Sequence, residues 1–263
     1  MDFENTLNNH EFQLPENWNY YMCQIDEMPA SYFVNLALAE IAPISQRLQL
    51  IWLEIKMNQP REDGLSLSEE FDHLMVFEDE IIPSLINGSQ SIYVGRLTHN
   101  KIREFYFYCE DATVLKHKIQ LIMQKFSQYS YQTGHRDEPD WSSYFKCMYP
   151  TPEILQTISN RAVVENLLHH GDRLQIARPV CHWLFFQNET DLAECVLKTQ
   201  ALGFEVVQID QLDDEHMKFS LQISRIDHVD QYSIDRCTLE LFELCKLYTV
   251  SYTHLTLPTN REV

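Results

Sequence analysis

The sequence predicts an α+β protein made of two α/β-sandwich domains. Three observations predict it. Hydrophobic residues make up 44% of the 263 positions and aromatics 12%, enough apolar material for packed cores. The length suits two ordinary domains. Segments with strand-like alternation also cluster around segments with helical spacing, and they do so twice along the chain.

In the first half, Trp18–Ile25, Tyr32–Ile41 and Leu48–Met57 read as apolar strands. Ser66-Leu67-Ser68-Glu69 has the form of a capping box, and Leu67, Phe71, Leu74, Met75, Ile81 and Leu85 continue from it at helical spacing. Glu69, Glu70, Asp72 and Asp79 face outward on this reading. Pro83 is expected to kink or end that helix, with Gly88 following it. Ser91–Thr98 and Ile102–Cys109 form a hairpin through His99-Asn100-Lys101. Asp111 caps a helix whose apolar face holds Leu115, Ile119, Ile122, Met123 and Phe126. Residues 131–143 are polar and breaker-rich and read as a loop, which leads into a short strand, Tyr144–Tyr149.

Thr151-Pro152-Glu153 starts a fresh helix, and the domain boundary falls there, dividing the chain into residues 1–150 and 151–249. That helix stops at Gly171. Val180–Phe186 is a strand, apolar at almost every position, and Asn188 caps a helix that ends at Gly203. Phe204–Leu212 is a second strand. Met217, Phe219, Leu221 and Ile223 alternate with polar neighbours as a third. Asp230 caps the last helix, which turns Ile234, Cys237, Leu241, Leu244 and Cys245 inward. The βαββα order is ferredoxin-like and lacks its fourth strand. Residues 250–259 resemble translated sequencing adaptor, so 250–263 are set aside as an artefactual tail, His254 and Arg261 included. The expectation is therefore that Val180–Phe186 lies with one edge bare.

Net charge is −19, shared by both halves, and no basic run occurs, which argues against direct nucleic-acid binding. No apolar run approaches the roughly 18 residues that span a bilayer. The first twenty residues are acidic and polar, unlike a signal peptide. Seven scattered cysteines with no CxxC pair read as reduced thiols of a cytoplasmic protein. Six glycines, the nearest two seven residues apart, leave no GxGxxG motif and no P-loop. GxSxG, HExxH and EF-hand patterns are also missing, so no catalytic residue, cofactor or metal ligand is expected. His169-His170 sits at a helix end, where adjacent histidines chelate one ion poorly. Glu78-Asp79-Glu80 reads as a wet helix face and His182 as a core histidine. Tyr93, Phe105, Tyr106 and Tyr108 read as core or cross-strand aromatics. Asp213, Asp214 and Glu215 read either as a solvated turn or as an acidic contact loop for a basic partner.

A resemblance adds to this reading. Leu167-Leu168-His169-His170-Gly171-Asp172, Arg178-Pro179, His182-Trp183-Leu184-Phe185-Phe186 and Leu202-Gly203-Phe204-Glu205-Val206 resemble the regulator of ribonuclease E activity B family. Residues 16–149 resemble the bacterial domain of unknown function 695. They do so through Trp18-Asn19-Tyr20, Gly64-Leu65, Val94-Gly95-Arg96-Leu97-Thr98 and Arg103-Glu104-Phe105-Tyr106-Phe107-Tyr108. The first resemblance implies a non-enzymatic regulator that binds and restrains an endoribonuclease and so affects RNA turnover, and the acid excess points to a basic segment of that enzyme as the contact. On it, Gly171, Asp172, Arg178, His182, Gly203 and Phe204 are structural family-motif residues. The rival expectation is a hydrolase or transferase with its site in the first domain, and the oligomeric state stays open.

Overall fold

Alternating apolar residues build the sheet of the first unit, and two short turns set its register. The computed structural model describes residues 14–87, 91–248 and, as backbone, 250–256. It divides the chain into Met1–Pro150 and Thr151–Val263. The first unit contains β1 (Trp18–Ile25), β2 (Met28–Asn35), β3 (Gln49–Lys56), β4 (Ile92–His99), β5 (Ile102–Cys109) and β6 (Tyr131–Asp137). They form one antiparallel sheet in the order β1-β2-β4-β5-β3-β6. Helices α1 (Ser68–Ile86) and α2 (Ala112–Met123) cover one face. There Leu74, Phe77 and Ile81 meet Ile51, Leu53 and Phe105.

Several elements differ from expectation, each for a physical reason. The second strand begins at Met28, because Asp26 and Glu27 both take positive φ (49° and 63°) and close a tight hairpin with β1. It ends at Asn35, whose side chain accepts from Ala37 N–H and starts a 3-10 turn, Leu36–Glu40. The capping box does not form: Leu67 occupies the cap position without a side-chain bond. Glu70 is buried instead, and its carboxylate accepts from Asn58 N–H (3.0 Å) and Gln59 N–H (3.2 Å). Pro83 leaves the helix intact to Ile86, since burial of Ile81 and Leu85 outweighs one lost backbone bond. Gly88 lies outside the described residues.

The loop expected at 131–143 contains β6, paired to β3. Its Gly134 is no breaker: a Cβ there would meet the Trp52 ring at 2.1 Å, so the glycine makes room for the indole. The strand expected at Tyr144–Tyr149 is a π-helical turn, Ser143–Met148. Glu138 explains it, because its buried carboxylate accepts from Ser143 N–H, from Ser142 Oγ (2.9 Å) and from Tyr108 Oη (3.1 Å). Trp141 stacks on Tyr108 at 3.9 Å, and Tyr144 Oη donates to Asn35 O at 2.7 Å.

The second unit runs α3 (Pro152–His169), β7 (Arg178–Phe186), α4 (Glu189–Ala201), β8 (Glu205–Gln211), β9 (Phe219–Asp227), α5 (Gln231–Cys245) and β10 (Val250–Thr256). Its antiparallel sheet has the order β10-β7-β9-β8, the ferredoxin-like arrangement with the first strand central. The missing fourth strand is therefore a correction. Val250–Thr256 pairs along β7, with one register shift between Tyr252 and His254, so β7 has no bare edge. A strand-competent run beside unpaired donors and acceptors pairs because leaving those groups unmet is costly. Residues 257–263 lie outside the described residues. Leu184, Phe186, Leu221 and Ile223 pack against Leu192, Cys195 and Leu241 of the helices. Helix α3 joins α5 through buried Asn160, which donates to Asp235 Oδ1 (2.8 Å) and Thr238 Oγ1 (2.7 Å).

Candidate protein-binding surface

The family-motif residues lie at turns and packing contacts of the second unit. Helix α3 ends at Gly171, where φ is +84° and an added Cβ would touch nothing within 4 Å, so conformation alone requires glycine. Asp172 then accepts from Leu174 N–H at 2.7 Å and pairs with Arg178 Nη1 at 2.6 Å. Burial alone would raise the Asp172 carboxyl; the Leu174 N–H and the Arg178 guanidinium outweigh it and hold it below the usual range. The clamp ties the end of α3 to the first residue of β7. His182 is fully buried, with Nε2 3.5 Å from Cys237 Sγ and its ring edge-on to Phe204 at 5.6 Å. Burial lowers the His182 pKa to about 4 and lifts that of Cys237 to about 12. A neutral imidazole beside a protonated, buried thiol is packing chemistry. Arg225 lies 4.2 Å over the Phe204 ring, pairs with Asp227 and donates to Leu202 O at 2.9 Å. Gly203, at φ +85°, turns the chain between Leu202 and Phe204.

Arg178, His182 and Phe204 are buried and Asp172 is half-buried, and the accessible charge lies at the rim. Asp213, Asp214 and Glu215 are exposed in the connection from β8 to β9. They do not act alike. Asp214 Oδ1 accepts from Met217 N–H (2.7 Å) and His216 N–H (2.8 Å), an Asx turn that also keeps its carboxyl below the usual range. Asp214 therefore shapes the turn that presents Asp213 and Glu215. Between Lys198 and Lys218 the chain has five acids and no Lys or Arg. β8, at the sheet edge, is exposed at every position but Val206. His169 and His170 lie at the end of α3, with His170 Nδ1 2.8 Å from Asn166 O.

In the first unit a groove of about 590 Å³ runs between α1 and the β1–β2 end of the sheet, walled by Trp18, Phe33, Tyr93 and Ile82. Glu78 lines it, but the wet face expected at 78–80 is corrected there: Glu78 is buried. Its carboxylate pairs with Arg96, accepts from Tyr93 Oη (3.2 Å) and sits 3.8 Å from Arg103. Arg103, itself buried, has a pKa lowered to about 10 by desolvation and the neighbouring Arg96. Sequence patterning missed this network because α1 turns Glu70 and Glu78 inward among acids that face water. Glu104, on the other face, sits opposite Glu54 and accepts from Tyr106 Oη at 2.8 Å. Burial, with Glu54 adding to it, raises the Glu104 carboxyl pKa. Among the described residues no group of His, Cys, Asp and Glu could hold a metal ion, and no helix is long and apolar enough to cross a membrane.

Fold and surface together define a tandem of two α+β modules, the second a ferredoxin-like sandwich with an acidic edge. The chain belongs to the Family of unknown function (DUF695), matched over residues 16–149; behind it, residues 157–253 match Regulator of ribonuclease activity B. Among curated proteins no relative was found. A solved structure described as a glycine cleavage system transcriptional repressor aligns with 81% of this chain and 98% of its own at 12% identity. Its TM-score is 0.25, too low to support an argument.

Proposed function

We propose that the chain is a non-enzymatic, protein-binding regulator of an endoribonuclease, acting in the cytoplasm and affecting RNA turnover. The observation that carries this reading is the match of residues 157–253 to Regulator of ribonuclease activity B. Charge supports it. A chain of net charge −19 repels RNA but attracts a basic protein segment, and the exposure of Asp213 and Glu215 suits them to meet it. In the groove of the first unit the most buried carboxylate is engaged by Arg96 and Tyr93, and no histidine lines it, which favours binding over the hydrolase or transferase alternative. The test is capture from a bacterial lysate on the immobilised full chain at low and then high salt. An endoribonuclease should be retained at low salt and released at high salt. Recovery without any RNA-processing protein contradicts the proposal.

A further inference from the structure

The outer strand of the second sheet carries features that the family-motif residues do not explain. β8 pairs with β9 on one side, and among the described residues no strand pairs with its other side. An open strand edge presents unpaired N–H and C=O groups to any extended segment. Along this edge Val207 is 53% and Ile209 48% exposed, and Ile226 of β9, just past the end of the β8 pairing, is 69% exposed. Acids flank these apolar side chains: Glu205 and Asp210 within the strand, Asp213 and Glu215 immediately after it. Lys198 and Lys218 are the nearest bases in sequence on either side. The register of β8 shifts between Val206 and Gln208 and is regular from Gln208 to Gln211.

These features act together. Two copies of an acidic edge repel each other, so the charge protects the strand against self-association. The same charge favours a strand of opposite sign, and Val207 and Ile209 offer such a strand apolar surface to bury. Protection alone does not call for two half-exposed aliphatic side chains. We infer that the β8 edge, centred on Gln208–Gln211, is a β-augmentation site for an extended, basic segment of a partner protein. Backbone hydrogen bonds supply affinity, Glu205, Asp210, Asp213 and Glu215 select Lys and Arg, and Val207 and Ile209 take the partner's apolar side chains. The inference rests on the proposed regulatory function for its partner, but not for its geometry.

Synthetic peptides test it. The probe is an eight-residue peptide of alternating Lys and Val, compared with an N-methylated version and with a version in which Glu replaces Lys. The full chain should bind the Lys–Val peptide, more tightly at low salt, and binding should slow amide exchange at residues 207–211. N-methylation, the Lys-to-Glu exchange, or the double change Glu205→Lys with Asp210→Lys in the protein should each weaken binding at least tenfold. Equal binding of the N-methylated peptide overturns the inference, because charge without strand pairing then suffices. Protection confined to residues away from β8, unchanged affinity in the double variant, or no binding of the Lys–Val peptide overturns it too. Thermal melting of the double variant, expected to match the parent, checks that it is folded. Failure here is separable from failure of the function. An endoribonuclease captured equally by parent and double variant would sink the docking edge alone, whereas lysate capture without one would sink the regulatory reading.

Discussion

His182 links one side chain to the stability of a whole module. Its ring is buried between Cys237 and Phe204, and burial lowers its pKa from 6.5 to about 4. The sign follows directly. Below pH 6.5 the unfolded chain takes up a proton that the folded chain refuses, so stability is fullest above 6.5 and falls as pH drops to about 4. The shift corresponds to about 3 kcal/mol. Urea unfolding from pH 7.5 to 4 should show this slope in the parent and lose about that much of it in His182→Leu; identical slopes contradict the assignment. Glu138 makes a comparable point in the first unit. Replacing it by Ala removes the acceptor for Ser143 N–H, Ser142 Oγ and Tyr108 Oη together. With these donors left buried, Glu138→Ala should cost about 3 kcal/mol in denaturant unfolding. A loss below about 1 kcal/mol would mean that water replaces the carboxylate.

Elements with local signals were legible in the sequence, and elements made by long-range contacts were not. Asp111, Thr151, Asn188 and Asp230 each cap the helix that follows, because a cap bond closes within three residues. The His99-Asn100-Lys101 turn is likewise local: Asn100 and Lys101 take positive φ and close the hairpin. By contrast, β6 looks like a loop until Trp52, some eighty residues earlier, is placed over Gly134. The turn at Ser143–Met148 needs Glu138, Tyr108 and Asn35, and nothing within the segment signals it. β10 falls in the tail that resembles adaptor, whose Tyr252, Thr253 and Thr256 tolerate strand geometry, and an open β7 edge asks only for strand-competent backbone. At the candidate site, Arg178, His182 and Phe204 are buried, whereas Gly171 and Gly203 are exposed turn residues with positive φ. The division of labour between Asp214 and its two neighbours was invisible without the turn. Gly134→Ala tests the β6 account: the Cβ must displace the Trp52 ring, at a cost of about 1–3 kcal/mol. Unchanged stability would mean that the indole has room to move.

At the scale of the whole chain, two sheets with separate cores carry an acid excess in both halves, so the electrostatic field is not confined to one loop. Exposed acids usually contribute about 0–1 kcal/mol each to stability, so removing Asp213 and Glu215 should leave the melting temperature almost unchanged. Retaining Asp214 keeps the Asx turn that presents them. Asp213→Ser with Glu215→Ser should weaken ribonuclease capture at low salt, and unaltered capture would reduce the loop to a solvated turn. The regulatory claim itself is tested most directly by RNA cleavage. The endoribonuclease retained from the lysate is purified, and its initial rate on a structured RNA is measured as the full chain is titrated in. The proposal predicts a saturable fall in rate at constant RNA integrity without enzyme, weakened by salt. A rate indifferent to the chain at concentrations that saturate binding, or RNA cleavage by the chain alone, would contradict it.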